Sequence, residues 1–353
     1  MKIGFYSPYL DSFGGGERYI LTLASHWSET HSVEVFWDNP AILTQAQHRL
    51  GIHLERVGVV NNVFATNNVI RKILTSRQYD VLFFLSDGSI PTSFAKYNLL
   101  HFQVPFAHVS VSGWKLKRFQ RVICNSEFTK NNLDPNLTVE RSVIYPPVDV
   151  RSISEAKKTK TILSVGRFSK AYNAKKFDVL IDAFRQAHQH YQFPGWRLIL
   201  ARAVLPGDRL YIQKLKFLAK GLPVEFYPNC PFEKLVTLYS SASIYWHAAG
   251  FGEIQPEHME HFGISTVESM AAGCIPVVFA GGGQTDIVHD GKNGFLWKTV
   301  PELLEKSAQL IRKKDSLSSL RFEAKKRSQD FSVQRFCYLF DGLLRDITKH
   351  HSI

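Results

Sequence analysis

The sequence predicts an α/β protein made of two doubly wound units in series, each a parallel sheet with helices on both faces. Three observations carry this. Short β-rich runs alternate with helical periodicity almost from end to end, the pattern of strands joined by crossover helices. The run Tyr145-Pro146-Pro147-Val148-Asp149 breaks that rhythm once, after which a second alternating set begins. The chain has 353 residues, 44% of them hydrophobic and 13% aromatic, which is enough apolar material for two cores.

In the first half, Ile3-Gly4-Phe5-Tyr6, Val33-Glu34-Val35-Phe36-Trp37, Val81-Leu82-Phe83-Phe84-Leu85 and Val122-Ile123-Cys124 read as strands, with helices following Gly16 and Phe128. Two consecutive prolines neither continue a helix nor sit in a central strand, and each holds the residue before it extended. The domain boundary is therefore set there, giving units 1–147 and 148–330. In the second unit the strands are Thr161-Ile162-Leu163-Ser164-Val165, Arg197-Leu198-Ile199-Leu200, Val224-Glu225-Phe226-Tyr227, Ser243-Ile244-Tyr245-Trp246 and Ile275-Pro276-Val277-Val278-Phe279. Helical patterns at 301–328 and 332–347 close the chain, and 331–353 is expected to be a C-terminal helix packing back towards the first unit.

Lys and Arg number 43 against 31 Asp and Glu, a net charge of +12, and most of the excess follows residue 149. That distribution suits a bound nucleotide diphosphate, although an anionic membrane or a nucleic acid would draw on the same charge. Nucleic-acid binding lacks further support, since no zinc-ligand spacing, RNP-type motif or basic helix with heptads is present. Cys124, Cys230, Cys274 and Cys337 are far apart and form no C-x-x-C pair, so neither a metal site nor a disulfide framework is indicated, and a reducing cytoplasm is expected. The opening residues Met1 to Ser7 lack the apolar core of a signal peptide, and no run approaches 18 apolar residues, so any membrane contact is expected to be peripheral.

The densest chemistry lies in Glu260-His261-Phe262-Gly263-Ile264-Ser265-Thr266-Val267-Glu268, followed by Ser269-Met270-Ala271-Ala272-Gly273. A loop with Gly263 turns into a short helix capped by Ser265 or Thr266 and ended by Gly273. Free amides and the positive end of the helix dipole suit a pyrophosphate there. Carboxylates aimed at a phosphate would repel it, so Glu260 and Glu268 are suited to neutral hydroxyls on either side. The plainer alternative makes Glu268 a residue favoured near a helix N-terminus and Glu260 a solvated loop residue.

Upstream, Val165-Gly166-Arg167-Phe168 ends a strand, and Lys175-Lys176 opens a helix, offering a forked donor and a point charge. Phe13-Gly14-Gly15-Gly16-Glu17-Arg18 is a glycine loop that does not match G-x-G-x-x-G, so a dinucleotide site is not indicated and it reads as a tight strand-to-helix turn. His101, at a strand end, reads by itself as a satisfied buried histidine. Asn125-Ser126 caps the following helix. In Tyr245-Trp246-His247-Ala248-Ala249-Gly250-Phe251-Gly252 the aromatics fill the core, while Gly250 and Gly252 suggest close backbone approach to a ligand or a mobile loop. Gly281-Gly282-Gly283-Gln284-Thr285-Asp286 reads as a structural turn lining the site. The stretch Gly113-Trp114-Lys115-Leu116-Lys117-Arg118-Phe119-Gln120-Arg121 is either a surface helix packed through Trp114, Leu116 and Phe119 or a segment lying on an anionic membrane.

The Glu260 to Glu268 segment resembles the E-x7-E signature of retaining glycosyltransferases of family 4, which have the GT-B architecture of two Rossmann-like domains facing a central cleft. The resemblance implies that Glu260 binds the donor hexose, that Phe262, Gly263 and Ile264, with Ser265 and Thr266 at the helix start, meet pyrophosphate and sugar, and that Glu268 binds the ribose. Gly166 and Arg167 with Lys175 resemble the basic pair that neutralises the leaving diphosphate. Seven residues, Phe168 to Ala174, separate Arg167 from Lys175, more than in many members, which leaves Lys175 and Lys176 as alternatives. Gly15 and Gly16 resemble the loop facing the donor phosphate and the acceptor, and His101 the histidine contacting the donor sugar.

The Glu-His-Phe-Gly-Ile wording, with Met-Ala-Ala-Gly after it, is most similar to mannosyltransferases that extend lipid-linked glycans and to bacterial relatives. What this implies is hexosyl transfer with retention from GDP-mannose or a UDP-sugar to a glycan acceptor, lipid-linked in that subgroup, at the cytosolic face of a membrane. No Asp-x-Asp pair is present, so neither a metal nor another cofactor is expected. The alternatives on the same architecture are a nucleotide-sugar epimerase and a phosphorylase.

Overall fold

The computed structural model describes residues 1–110, 112–167, 175–191, 193–202, 204, 208–312 and 317–349. They divide into two units, Met1–Pro147 together with the C-terminal helix Val333–Lys349, and Val148–Ser332.

The first unit is built on seven parallel strands: β1 (Lys2–Tyr6), β2 (Ser32–Phe36), β3 (Val57–Val60), β4 (Val81–Leu85), β5 (Tyr97–Phe102), β6 (Arg121–Cys124) and β7 (Arg141–Val143). Their order is β3-β2-β1-β4-β5-β6-β7, so the winding reverses between β1 and β4. The helices are α1 (Gly15–Trp27), α2 (Ile42–Leu50), α3 (Val69–Ser76), α4 (Gly113–Leu116) and α5 (Glu127–Asn131). All four strands written out from the sequence form, while β3 and β7 were not expected and β5 only as the strand end that carries His101. β5 hides because it buries Asn98 and His101 among apolar residues. Asn98 is satisfied there by donating to the carbonyls of Ala95 and Arg118, at 3.2 and 3.0 Å.

The helix Val333–Lys349 belongs to this unit because its apolar stripe has nowhere else to go. Phe336, Phe340, Leu343, Leu344 and Ile347 recur at helical spacing and are buried. Phe336 and Phe340 stand edge-on to Tyr19 with ring centroids 4.8 and 5.8 Å away, and Phe340 also meets Trp27 and Phe83. Asp341 fixes the register by accepting from Trp27 Nε1 at 3.1 Å and lying 3.0 Å from His26 Nε2.

The second unit carries β8 (Thr159–Val165), β9 (Arg197–Arg202), β10 (Val224–Pro228), β11 (Ala242–His247), β12 (Ile275–Phe279) and β13 (Phe295–Trp297), all parallel, in the order β10-β9-β8-β11-β12-β13. Its helices are α6 (Phe177–Gln186), α7 (Arg209–Leu218), α8 (Phe232–Ser241), α9 (Ile264–Ala271), α10 (Gln284–Ile287), α11 (Val300–Arg312) and α12 (Leu317–Ser328). The five expected strands are present, and only the three-residue β13 is added. The unit runs to Ser332 rather than residue 330, because the Val148 N–H donates to the Phe331 carbonyl at 2.9 Å and the Phe331 ring packs on Phe262. No described helix is long and apolar enough to cross a membrane.

Truncating Phe340 to alanine empties the aromatic nest under α1 and is expected to cost about 3–5 kcal/mol. Truncating exposed Tyr338 on the same helix should cost less than about 0.5 kcal/mol. Urea unfolding of the two variants checks the difference.

Candidate functional site

In a doubly wound sheet the ligand crevice opens at the carboxyl ends of the strands where their order reverses, which in the second unit is between β8 and β11. β8 ends at Val165 and delivers Gly166 and Arg167 to one side of that point. β11 ends at His247 on the other. The loop bearing Glu260 leads into α9, and the Gly281-Gly282-Gly283 turn after β12 lies against it, the Gly283 N–H donating to the Glu260 carbonyl at 2.7 Å.

Glu260 is the hub. Its Oε2 accepts from the Lys175 ammonium and from His247 Nε2, the latter at 3.0 Å. His247 Nδ1 in turn lies 3.3 Å from Gln284 Nε2. One proton arrangement satisfies both ends of the imidazole: the Gln284 amide donates to Nδ1, and the Nε2 proton goes to Glu260. His247 is thus neutral, and burial pushes its pKa down against the pull of Glu260. Burial acts to raise the Glu260 pKa, but the Lys175 charge and the His247 hydrogen bond outweigh it and hold the carboxyl well below the usual carboxylate range. Glu260 Oε1 has no hydrogen-bond partner among the described residues.

Lys175 reaches Glu260 by crossing the bare face of Gly166, where a Cβ would lie 2.6 Å from Lys175 Cγ. Lys176 turns elsewhere, to Glu253, whose other oxygen lies 3.6 Å from His258 Nδ1. The two lysines left as alternatives by the sequence therefore occupy different places, Lys175 beside Glu260 and Lys176 beside Glu253. Arg167 is exposed and has no partner among the described residues. Phe168 and the rest of the segment 168–174 lie outside the described residues.

Gly263 precedes α9 with φ +122°, a conformation that L side chains rarely adopt, and a Cβ there would press on Gln284 at 2.6 Å. The N–H groups of Thr266 and Val267 return to the Gly263 carbonyl at 2.9 and 3.2 Å. The Ile264 and Ser265 amides are left as donors at the positive end of the helix, an arrangement that takes an anion. Here the sequence expectation needs correction: Gly263, not Ser265 or Thr266, occupies the cap position. Ser265 Oγ accepts from the Tyr245 hydroxyl at 2.8 Å and the Thr266 side chain is fully buried, because the first turn of α9 packs inward on β11. Of Ser265 and Thr266, only the Ser265 amide is available to a ligand, beside that of Ile264. Glu268 falls in the second turn rather than the first and accepts from the Tyr239 hydroxyl at 2.8 Å. Phe262 is buried against Phe331, so it anchors the loop by its ring.

In the first unit, the glycine loop follows β1 and opens α1, with Gly15 exposed and Gly16 buried. Glu17 folds back over it, accepting from the Gly14 N–H at 2.8 Å and from Ser12 Oγ at 2.6 Å. His101 is fully buried, stacked on Tyr19 with centroids 3.9 Å apart, and its Nδ1 lies 3.0 Å from the Ile123 carbonyl oxygen. Burial pushes its pKa down to about 3. It is a neutral buried residue but only half satisfied, since its Nε2 is buried with no hydrogen-bond partner among the described residues.

His247 and Gln284 were read from the sequence as core and turn. The signal was available: His247 is the polar end of an otherwise buried strand at the edge where such folds bind ligands, and Gln284 follows three glycines at the same edge. Among the described residues no cluster of three or more His, Cys, Asp or Glu is placed to hold a metal ion.

The family model described as Glycosyl transferases group 1 matches residues 148–327, and the one described as Glycosyltransferase Family 4 matches residues 13–152. The GDP-Man:Man(3)GlcNAc(2)-PP-Dol alpha-1,2-mannosyltransferase of Dictyostelium discoideum is 29% identical over 213 residues, covering 56% of this chain and 41% of that protein. The human protein of the same name is 30% identical over 236 residues, with 61% and 45% covered. The chain thus spans less than half the length of these relatives. Among solved structures, Anabaena Alr3699/HepE in complex with UDP and glucose matches with a TM-score of 0.72 over 98% of this chain and 100% of that one, at 20% identity. That likeness speaks for the fold, the GT-B pairing of two Rossmann-like units.

Because the Glu260 carboxyl titrates lower in the folded chain than in the unfolded one, its stabilisation is complete above the ordinary glutamate value of 4.5 and is lost as pH falls towards the folded pKa. Glu260→Gln should therefore cost about 1–3 kcal/mol at neutral pH, with the gap from wild type closing on the acid side. Urea midpoints measured across that pH range check it, and a gap that persists at low pH would count against the charge network.

Proposed function

Since the chain belongs to the group 1 glycosyl transferases, we propose that it moves a hexosyl group from a nucleotide sugar to a glycan acceptor, with retention of configuration and without a metal ion. The observation that carries this reading is the free N-terminus of α9 set beside a carboxylate held ionised by Lys175 and His247.

As the bond between the anomeric carbon and the diphosphate oxygen lengthens, negative charge grows on the diphosphate. The Ile264 and Ser265 amides, the Arg167 guanidinium and Lys175 are suited to stabilise it. Lys175 carries three protons and Glu260 engages one, so two remain for phosphate oxygens. Glu260 Oε1 is suited to accept from hexose hydroxyls, and Glu268 from the ribose. The acceptor hydroxyl forms its bond to the anomeric carbon on the face that the diphosphate leaves, and its proton passes to the departing diphosphate oxygen. Gly15, exposed at the start of α1, stays in this proposal as a phosphate-facing position. His101 does not, since its ring is fully buried.

The named relatives specify GDP-Man as donor and a PP-Dol-linked glycan as acceptor, which favours GDP-mannose over UDP-sugars and a lipid-carried acceptor here. An enzyme acting on such an acceptor works against a membrane face, on its cytosolic side in this proposal. A thermal-shift series with GDP-, UDP- and ADP-sugars tests the donor: GDP-mannose should raise the midpoint most. Proton NMR of the product tests retention, and an inverted anomeric linkage would overturn that part.

Arg167→Ala should lower turnover by roughly a hundredfold or more, the scale for loss of one preorganised donor to a developing anion. Its melting temperature should barely move, because the side chain is exposed and has no partner among the described residues. Near-normal turnover by the folded variant would remove Arg167 from the mechanism.

A further inference from the structure

The first unit carries an apolar and basic surface that no part of the donor chemistry uses. α3 is amphipathic, but most of its apolar stripe is exposed and only Ile73 of it is half-buried. Its one buried residue is Ser76, while Ile70 is 71% exposed, Leu74 57% and Val69 49%. Asn68 fixes the start of the helix by accepting from the Arg71 N–H at 2.9 Å. α4 lies alongside. Its Leu116 is buried, as is Phe119 just beyond, but Trp114, which one of the two sequence readings packed with them, is 52% exposed.

The two elements form one patch. Half-buried Phe94 sits between them, 6.4 Å from the Trp114 ring, with Arg77 from the end of α3 and Arg118 from beyond α4 over its face at 5.6 and 4.9 Å. Lys115 lies over Trp114 at 5.9 Å. The Lys115 ammonium donates to the Ile90 carbonyl at 3.4 Å and the Arg118 guanidinium to the Ala95 carbonyl at 3.3 Å, which holds both charges at this face, and burial with the like charge of Lys115 pushes the Lys72 ammonium down. Arg71 is left out of the patch because it lines a neighbouring cavity with Glu34. No carboxylate comes from the chain segments that build the surface: residues 56–79 and 88–126 hold no Asp or Glu.

Like charges gathered around exposed large apolar side chains fit a surface that is both anionic and able to accept apolar groups. A protein partner would have to bring a dense acidic rim around an apolar pocket, whereas an anionic bilayer offers both at once. We propose that α3, Phe94 and α4 dock the first unit on an anionic lipid bilayer, with Ile70, Leu74 and Trp114 entering the headgroup boundary and Lys72, Arg77, Lys115, Lys117 and Arg118 facing lipid phosphates. The proposal gives the membrane contact of the transferase reading a place, but vesicle binding is measurable without turnover.

The test is flotation of the full chain with vesicles of phosphatidylcholine alone and of phosphatidylcholine with roughly one-third phosphatidylglycerol. Binding is expected to the anionic vesicles, weakening as salt rises. Lys115→Gln and Arg118→Gln should each weaken it by about fivefold. Ile70→Ser with Leu74→Ser, and Trp114→Ser, should weaken it further, with unchanged melting temperatures and an unchanged midpoint shift with nucleotide sugars. Equal binding to neutral vesicles, no binding to either, or variants that bind as wild type would overturn the proposal. So would a lipid-free dimer that the Ile70→Ser, Leu74→Ser variant turns into a monomer, since the face would then be a contact between copies of the chain. Loss of the nucleotide-sugar shift in the wild-type chain would instead count against the transferase reading and leave the vesicle result standing.

Discussion

Glu260 shares a single carboxylate oxygen between a lysine and a neutral histidine, and much of the sequence of the second unit follows from keeping that arrangement in place. A largely buried carboxylate is costly unless it is paired and hydrogen-bonded. Lys175 supplies the charge, which requires that Gly166 have no side chain. His247 supplies a second donor, which requires that its other nitrogen be met by Gln284. Gln284 stands where a side chain on Gly263 would go, and the glycine turn before it binds the Glu260 backbone. Residues more than a hundred positions apart are thus held to their identities by the ionised state of one group.

Most of the fold was legible because strands buried on both faces read as apolar runs, and the edge strand β10 by its β-rich wording, so that nine declared themselves. The four that did not differ physically. β3, β7 and β13 are edge strands of three or four residues, too short to show a pattern. β5 buries Asn98 and His101, whose polarity interrupts the apolar run that would announce a buried strand. The site was legible where chemistry is carried by short-range wording, from Glu260 to Glu268. It was illegible where it depends on chain segments brought together by the sheet, as with His247 and Gln284, or on which way a helix turns, as with Ser265 and Thr266.

The same limit explains α3. Apolar periodicity tells which residues share a face, and the usual inference is that this face is inside. In α3 the polar side packs inward through Ser76, whose hydroxyl donates to the Ile73 carbonyl and whose oxygen accepts from the Phe94 N–H. The apolar side looks out. Periodicity alone is symmetric under that inversion, and only the packing of the neighbouring backbone breaks it. Of the packed reading of 113–121, Leu116 and Phe119 conform and Trp114 does not, since those two fill the available core.

The electrostatics of Glu260 also bear on what kind of transfer the proposed reaction can be. A carboxylate whose pKa is held low, with one oxygen already accepting two hydrogen bonds, is a weak base and a weak nucleophile, because both roles need electron density that the lysine and histidine have taken up. It remains a good acceptor for neutral hydroxyls at its free oxygen. That favours a path in which the protein orients the hexose through Glu260 and stabilises the departing diphosphate through the α9 amides, Arg167 and Lys175, with no covalent sugar on the enzyme. Lys175 then connects the two tasks. Any shift of its protons from Glu260 towards phosphate as charge builds there would loosen the hold on the carboxylate as the leaving group gains stabilisation, so sugar position and bond breaking would be coupled through one ammonium group.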